Sequence, residues 1–552
     1  MSDNDNAEPE NQATPGNPSY ANNAKPLLLL DRFITLSAAQ AQEQDMTVEL
    51  QYADKRAKFY SEFEIRQDEI RQLVAFHCGL ANPDLVQVPA TFGKNNELIW
   101  QHGSFNMCIP VSINRSGLNH VTSSLPTRLA FRVPLPYKVG EEMFPGNSEE
   151  KVRSEAATYI WLERNCPDIP VPKLRGFGMA GGLSFCQVSY IPFWSRINFH
   201  IQRFIRFILR TPGLYADEHA PRRRKALLDY SYILIDWIED PSEEMLSKSF
   251  FEPHTEEQTK NLYRGISEIM ISLARLPQPR IGSWTINNEG HVTLTNRPMF
   301  CHLHMFENWS IPSGIPRNTT YTSADSLYLD LITGHDNRLL YQKNSAYNKL
   351  DAQTQAKDLV LMRALLHQFT CRHLHSGPFI MQLTDMHASN IFVDKHWNIK
   401  HIIDLEWACS LSLADLQPPY WLTGKGIDEF EGAEYTEFKN SYNQFVDIFE
   451  QVEAHTNTEP LHHGEGVYSR AALMKTALED CRYWYFSALM SPKGLFNVFR
   501  MHIQSVFDAV PKETLRDGVS PFWRPGMASF INSKMDEYTQ YQHEIRDLFH
   551  RN

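Results

Sequence analysis

The sequence predicts an α+β fold with a small antiparallel-sheet lobe near the N-terminus and a larger, mainly helical lobe near the C-terminus. Short β-prone runs, several of them alternating apolar and polar residues, succeed one another up to about residue 239. After about residue 255, apolar residues recur at spacings of three and four, which is the pattern of amphipathic helices. A chain of 552 residues that is 42% hydrophobic and 21% charged is long enough for both lobes and a substantial core.

Composition and pattern divide the chain into four parts. Residues 1–30 are rich in Asn, Pro and acidic residues and are expected to form a disordered tail. Residues 31–90 are expected to form a helical N-terminal extension that packs on the sheet lobe. The sheet lobe is assigned to residues 91–239, with a basic helical insertion at about 193–229, and the helical lobe to residues 240–552.

Charge and hydropathy argue against several function classes. The 53 basic and 65 acidic residues give a net charge of −12, which disfavours nucleic acid as a partner. The leucine run at residues 27–30 ends at Asp31, and no integral membrane segment is predicted. Because the first residues are acidic and lack an apolar stretch, we expect a cytoplasmic protein. Its eight cysteines form no Cys-x-x-Cys pair and are expected to be reduced.

One polar constellation carries the main functional signal. Asp385 is followed five residues later by Asn390 and then, fourteen residues beyond that, by Asp404. The β-prone runs 391–393 and 399–403, joined by a polar turn, predict a hairpin that brings Asn390 and Asp404 together. A phosphoryl-transfer site needs a carboxylate to accept a proton from the attacking hydroxyl, and an amide and a second carboxylate to hold Mg²⁺. Considered singly, these residues are ordinary loop residues.

A turn far upstream is a candidate phosphate contact. Two predicted strands, at residues 97–101 and 107–111, flank His102 and the turn Gly103, Ser104, Phe105 and Asn106. Backbone N–H groups in such a turn can lie over phosphates, as in the glycine-rich loop of kinases. With a single glycine, an ordinary hairpin turn is the alternative.

The segment Leu-Thr-Asp-x-His-x-Ser-Asn-Ile-Phe-Val-Asp, followed by Ile-Asp-Leu-Glu-Trp, resembles the catalytic region of the aminoglycoside phosphotransferase and choline kinase-like family, and looks most like its fungal group. The resemblance implies a protein-kinase-like two-lobed fold that uses ATP and Mg²⁺. It also implies that Asp385 is the catalytic base, that His387 supports the loop, and that Asn390 and Asp404 bind the metal. Leu383 and Thr384 depart from the His-Gly of bacterial members.

The same resemblance assigns nucleotide-binding roles in the sheet lobe. Arg132 stands where the family has a lysine that contacts the α- and β-phosphates, and Glu155 matches its helix partner. An arginine fork suits bidentate phosphate contacts but cannot act as a compact point charge, so Arg132 indicates either a phosphate clamp or reduced activity. A surface ion pair is the other alternative. The backbone near Asp236 and Ile238 is expected to contact adenine.

The basic insertion predicts an amphipathic helix. Ile197, Ile201, Ile205 and Ile208 fall on one face of it, with Arg196, Arg203, Arg206 and Arg210 elsewhere. Such a helix can lie on a membrane, or it can pack on its own protein through the isoleucines with the arginines in solvent. The second arrangement is favoured because most globular surface helices are built that way.

The region after Asp404 indicates the acceptor class. A protein kinase is disfavoured because no Ala-Pro-Glu anchor for a peptide follows. Acidic and aromatic residues are candidates to line a pocket, although a structural, buried role is favoured for the last three: Glu406, Trp407, Asp480, Tyr483, Trp484 and Tyr485. We therefore predict an ATP-dependent phosphotransferase acting on a hydroxyl of a small molecule. The rival prediction is a pseudokinase that binds or regulates without turnover.

Overall fold

The structure is a computed structural model that describes residues 25–95, 97–115, 122–209, 213–456, 458–492, 494–507 and 510–551. Most of the predicted disordered tail, residues 1–24, lies outside the described residues, as does Arg210 of the predicted amphipathic helix. The last part of that tail was predicted wrongly, because it forms a strand that pairs with its neighbour. The N-terminal elements are β1 (Leu27–Leu29), β2 (Arg32–Ile34), α1 (Leu36–Gln40), α2 (Met46–Glu49), α3 (Tyr52–Ile65) and α4 (Gln67–His77).

The next part of the chain, the sheet region, is built on eight antiparallel strands. Along the sheet their order is β10-β8-β7-β11-β6-β5-β3, with β4 paired to β5. The elements are β3 (Val86–Gln87), β4 (Gln101–His102), β5 (Asn106–Ile113), β6 (Arg128–Pro134), α5 (Asn147–Asn165), β7 (Leu174–Gly178), β8 (Leu183–Gln187), α6 (Phe193–Ile208), β9 (Leu214–Tyr215), β10 (His219–Arg223) and β11 (Tyr232–Asp236).

The helical region follows and carries most of the helices. Its strands are β12 (Glu244–Met245), β13 (Ser283–Ile286), β14 (His291–Asn296), β15 (Phe379–Leu383), β16 (Ile391–Val393), β17 (Ile399–Ile402), β18 (Ala408–Ser412), β19 (Leu461–His463) and β20 (Gly466–Tyr468). Its helices are α7 (Glu256–Ala274), α8 (Cys301–Asn308), α9 (Ala324–Tyr341), α10 (Lys349–Phe369), α11 (Gly432–His455), α12 (Arg470–Ala477), α13 (Arg482–Met490), α14 (Leu495–Val498), α15 (Lys512–Val519) and α16 (Met527–Arg551).

The mixed architecture with antiparallel sheets confirms the predicted fold class at that level. Helix α7 illustrates why the helical pattern was readable: Thr255 and Gln258 form a capping box, and Leu262 and Ile266 begin its buried face. The predicted strand at 97–101 is shorter than expected. Only Gln101 and His102 pair with β5, while Leu98 makes an isolated bridge to Phe92.

Helix α5 joins the sheet region to the helical region. Near its N-terminus Glu150 accepts hydrogen bonds from Arg297 at 2.9 and 2.8 Å, and Asn147 donates to Glu307 at 2.7 Å. Arg297 also donates to Glu307 at 2.6 Å. All four side chains are buried. Breaking one partner of such a group leaves an uncompensated buried charge, so the network fixes α5 against the helical region.

The N-terminal extension is divided between two places. Helices α3 and α4 pack on the sheet region through side chains such as Phe63 and Val74. Strands β1 and β2 and helices α1 and α2 instead pack on the C-terminal helix α16, where Met46 N–H donates to the Tyr541 hydroxyl at 3.0 Å. We call this contact the terminal clasp.

The insertion does form a helix, α6, but the expected packing is wrong. Ile201, Ile205 and Ile208 are exposed, and Phe199, on the opposite side of the helix, is the buried residue. Within the described ranges, the chain contains no helix that is both long and apolar enough to cross a membrane.

Candidate active site

Two antiparallel strand pairs bring the polar constellation together. Strand β15 runs directly into the loop that carries Asp385, and its last residue pairs with the first residue of β18. The Thr384 N–H and hydroxyl both donate to the Trp407 carbonyl, at 3.1 and 2.7 Å. The β16–β17 hairpin closes the other side, as predicted, and the Ile403 N–H donates to the Asn390 carbonyl at 2.9 Å. The loop and the segment around Asp404 are therefore neighbours.

The loop is held by its own side chains. The Asn390 Nδ2 donates to the Asp385 carbonyl at 2.9 Å and lies 3.3 Å from His387 Nε2. The Ser389 N–H donates to His387 Nδ1 at 3.2 Å. These contacts place His387 within the hydrogen bonds of the loop. The Asn390 Oδ1, which would be the metal ligand, takes part in none of them.

Asp385 has the environment of a titratable base. Its side chain is 28% exposed, and its carboxylate lies 3.8 Å from His387 Nε2. Burial, with a smaller contribution from the negative charge of Glu406, raises the pKa of Asp385 to about 7, while Lys151 opposes the rise. Burial also lowers the pKa of His387. A carboxylate that titrates near neutral pH can accept a proton during a reaction and release it afterwards.

Asp404 adopts an uncommon backbone conformation. Its φ of 65° and ψ of 60° lie in the left-handed region, which is sparsely populated by residues other than glycine. Such a conformation persists only where the surroundings impose it, and it frequently marks a functional site. The Asp404 side chain is 28% exposed, so one side of its carboxylate remains accessible.

Arg132 connects this carboxylate to the sheet region. From β6 its Nη1 donates to Glu155 on α5 at 2.6 Å, and its Nη2 donates to Asp404. The predicted pair of Arg132 and Glu155 is thus present and buried, and it is not a surface ion pair. The guanidinium occupies the position between α5 and Asp404, so a phosphate that binds Arg132 must compete with Asp404.

A second ion pair lies beside the first and was not predicted. Lys151, one helical turn before Glu155, donates to Glu406 and to the Asn106 Oδ1, and the Asn106 Nδ2 donates to Glu406 at 2.7 Å. All three side chains are buried. Burial opposes ionisation of Glu406, but Lys151 and Arg132 outweigh it and lower the pKa of this carboxyl. We call Asn106, Lys151 and Glu406 the buried triad.

The carboxylates in this region form a candidate metal cluster. Oxygens of Glu155, Asp404 and Glu406 all lie within 4.8 Å of one another. Carboxylate oxygens are the donors that Mg²⁺ prefers, and the backbone of Asn390 is bonded to Ile403, the residue before Asp404. However, Arg132 and Lys151 already neutralise part of the charge. Asp404 is the member whose exposure leaves it accessible to a cation.

The turn predicted to cover phosphates divides into two halves. Gly103 and Ser104 are exposed and line a cavity of about 470 Å³, the turn cavity, which Asp385 and His387 also line. Phe105 also lines this cavity, and it packs its ring against Trp407, with the ring centres 5.1 Å apart. Asn106 belongs to the buried triad. Lys138 is a further basic residue at the turn cavity that the sequence analysis did not single out.

Asp385 also lines a second cavity, of about 340 Å³, which shares Cys301 and Met305 with the turn cavity. We call it the inner cavity. Its wall is largely apolar, but it includes Asp415, whose Oδ1 accepts a 2.6 Å hydrogen bond from Tyr328 and whose Oδ2 is buried without a partner in the described chain. Burial raises the pKa of Asp415 to about 7. Other residues of the wall are Met305, Met386, Tyr420, Trp421, Tyr483 and Met490.

The residues predicted to line one pocket therefore lie in different environments. Tyr483 lines the inner cavity, whereas Glu406 belongs to the buried triad and Trp407 is buried beneath Phe105. The aromatic neighbours after Tyr483 serve the core: Trp484 stacks on His502 with the ring centres 3.7 Å apart.

The predicted adenine-contacting segment lies where the chain leaves the sheet. Asp236 ends β11 and accepts two hydrogen bonds from Arg175, at 2.5 and 2.8 Å, so its carboxylate is already paired. Ile238 is half-buried just beyond it. The chain then reaches Glu243, which lies 2.9 Å from His401 of β17. The segment thus connects the sheet to the hairpin that carries Asn390.

Comparisons with known proteins give little further information. No family model matches the chain, and no curated protein matches it. Among solved structures, a "putative aminoglycoside phosphotransferase" of Ralstonia eutropha JMP134 aligns with a TM-score of 0.36 and 8% identity, over 84% of this chain and 93% of that one.

Proposed function

We propose that this protein is an ATP- and Mg²⁺-dependent phosphotransferase of the protein-kinase-like two-lobed type, acting on a hydroxyl group of a small molecule. The observation that carries the proposal is the position of Asp385. Its carboxylate titrates near neutral pH and lines both the turn cavity and the inner cavity. A base between two cavities can take a proton from an acceptor on one side while the phosphate donor lies on the other.

The donor set is compatible with a magnesium nucleotide. Asp404 is an accessible carboxylate, the Asn390 amide is its neighbour across the hairpin, and Arg132 is a cation with phosphate-binding geometry. When bound, ATP would supply the phosphoryl group, and Mg²⁺ would neutralise its charge. Arg132 would then exchange its bond to Asp404 for one to a phosphate while it keeps Glu155. This exchange frees Asp404 for the cation.

The main role of the protein's own side chains in this reaction would be to position the two substrates. The acceptor hydroxyl would lie against the Asp385 carboxylate, which takes its proton as the oxygen–phosphorus bond forms and the bond to the leaving ADP breaks. Asn390 and His387 hold the loop during this step. Ser104, exposed in this turn, would face the phosphates, whereas the Gly103 N–H already donates to the Asn106 carbonyl at 2.8 Å. Asp385 returns its proton to water after the product leaves.

The decisive experiment is the Asp404→Ala variant of the full chain. We expect it to lose Mg²⁺-dependent ATP binding, measured by isothermal titration calorimetry, and acceptor phosphorylation, measured as a phosphate mass gain across a panel of hydroxylated metabolites. A matched control is Asp536→Ala in α16, far from the site in sequence. Unchanged ATP use in Asp404→Ala, with its far-UV circular dichroism intact, would refute the proposal.

A second candidate function, a binding module without turnover, is favoured by one specific observation. Arg132 and the buried triad fill the space around Asp404 with ion pairs between protein side chains. In this alternative these pairs prevent turnover, and the protein binds or regulates without phosphoryl transfer. Binding of Mg·ATP without hydrolysis or acceptor phosphorylation would favour the module.

A further inference from the structure

A surface helix of a globular protein usually packs on the protein through its apolar face. Helix α6 does the reverse, and its apolar face is exposed. At about 3.6 residues per turn, Trp194, Ile197, Ile201, Phe204, Ile205 and Ile208 fall on one side. All six side chains are exposed, from 36% for Ile197 to 78% for Trp194. The buried contact of the helix is Phe199, on the other side, which packs with Ala220 of β10 and Val188.

The arginines of α6 lie on the protein side. Arg196 donates to the Ser189 carbonyl at 2.8 Å, and Arg203 lies 3.6 Å from Asp217. Arg206 lies over the ring of Tyr215, 4.3 Å from its centre. The polar face of the helix is therefore fixed by the protein, and the apolar face points away from the described chain. Residues 1–24 contain too few apolar side chains to cover it.

Positive charge is concentrated beside this apolar face. Residues 193–225 contain eight Lys and Arg residues against two acidic ones, in a chain whose net charge is −12. Arg196 and Arg222 line one cavity of about 390 Å³ at the start of α6, and the Arg196 Nε is buried there without a partner in the described chain. Arg222 and Arg224 are held above the ring of Phe76, 5.0 and 4.7 Å from its centre.

We propose that α6 lies in the plane of an anionic lipid bilayer, with its apolar face among the acyl chains and a lipid phosphate in the cavity of Arg196 and Arg222. An exposed apolar face on a short helix, next to clustered arginines and with a tryptophan at one end, is the arrangement of an interfacial helix. A soluble protein partner would not need the local positive charge, whereas anionic headgroups are attracted by it. In this arrangement α6 binds the surface of the bilayer and does not cross the bilayer.

Flotation of the full chain with lipid vesicles tests the proposal. We expect co-flotation with vesicles of phosphatidylcholine and phosphatidylserine, weaker binding to phosphatidylcholine alone, and loss of the difference in high salt, because salt screens the arginines. The variant Ile201→Asp/Ile205→Asp should lower vesicle affinity by about tenfold or more, because two apolar side chains can no longer enter the bilayer.

The control variant is Ile65→Asp/Val467→Asp, which makes the same charge change at two exposed aliphatic positions outside α6. It should float like the wild type. A second variant, Arg196→Gln/Arg222→Gln, should lose the preference for phosphatidylserine but keep weak binding to phosphatidylcholine, and Arg280→Gln/Arg524→Gln should change neither.

Three results would overturn the proposal. One is absence of the wild type from the floating fraction. Another is equal binding by the wild type and Ile201→Asp/Ile205→Asp. The third is a wild-type dimer in light scattering that becomes a monomer in that variant, since a second copy would then cover the apolar face. Quenching by brominated lipids that is lost in Trp194→Phe would support insertion at the depth of α6.

Discussion

Lys151 and Glu406 form an ion pair in which both side chains are almost completely buried, at 0% and 1% exposure. The pair joins α5 to the segment after Asp404, and Asn106 of β5 bonds to both members, reaching the same Glu406 Oε2 that Lys151 contacts. Three distant parts of the chain therefore meet at one charge pair. Its geometry leads to the first prediction.

Lys151→Met should destabilise the protein by about 3 kcal/mol, because it leaves Glu406 buried with only the more distant Arg132, 3.5 Å away, as its cation. The double variant Lys151→Met/Glu406→Gln should be less unstable than the sum of the single variants, with a coupling of about 1–3 kcal/mol. Urea denaturation followed by tryptophan fluorescence measures these differences. The exposed pair of Lys475 and Glu450 supplies the control, since Lys475→Met should cost about 1 kcal/mol or less. Equal effects of the two lysine variants would contradict the buried pair.

The pH dependence of turnover should report Asp385. A base works in its deprotonated form, and burial raises the pKa of Asp385 to about 7, so kcat/KM should rise as the pH increases through about 7 and level off above it. Burial lowers the pKa of His387, which moves its titration away from this range. A rate profile with a midpoint near the ordinary carboxyl pKa of about 4 would contradict the description of Asp385.

Substitutions distinguish the role proposed for Asp385, a catalytic base, from that proposed for His387, a support of the loop. Asp385→Asn should reduce kcat by about 100- to 10,000-fold, the usual contribution of a general base. His387→Ala should slow the reaction less and keep the midpoint near pH 7, because it removes only a support of the loop. A shift of the midpoint in His387→Ala would instead assign the titration to the histidine.

Asp415 is predicted to contact the acceptor. Asp415 lines the inner cavity, and its Oδ2 is buried without a hydrogen-bond partner among the described residues, whereas its Oδ1 is held by Tyr328. Asp415→Asn should raise the KM for the acceptor by about tenfold through loss of one charged hydrogen bond, and leave the KM for ATP unchanged. Steady-state kinetics with each substrate varied in turn measures both. Parallel changes in the two constants would indicate a general disturbance of the fold.

The terminal clasp depends on Tyr541. Tyr541→Phe should cost about 1–2 kcal/mol locally, because the Met46 N–H remains buried and loses its acceptor. Limited trypsin digestion should then cut faster at the exposed Arg32. Tyr347→Phe, at a tyrosine that is 66% exposed, is the control and should leave the digestion rate unchanged. A digestion rate at Arg32 equal to that of the wild type would show that the hydroxyl does not hold the clasp.

The sequence predicted those features of the site that local pattern determines. The hairpin of β16 and β17 was readable because two β-prone runs flank a polar turn, and its geometry followed from the turn length. The pairing of Arg132 with Glu155 came from resemblance to a family and not from periodicity. Its contact with Asp404 spans 272 residues along the chain, and no local pattern encodes such a separation.

The features that were missed depend on tertiary packing. Lys151 lies in the run Glu149, Glu150, Lys151, Val152 and Arg153, which reads as a solvated helix face, yet its ammonium group is completely buried. Helix α6 was predicted as a helix but with the wrong face buried. Periodicity defines an apolar face but does not say what that face will contact. Which face of α6 packs on the protein could therefore not be predicted from it.

The terminal clasp has a consequence for synthesis in the cell. Met46 and Tyr541 are 495 positions apart, so the packing of Leu29, Ile34 and Met46 is incomplete until Tyr541, Ile545 and Phe549 have emerged from the ribosome. Domains generally fold as the chain appears, from the N-terminal side. Here residues 27–50 would reach their native place only after nearly five hundred further residues had been translated.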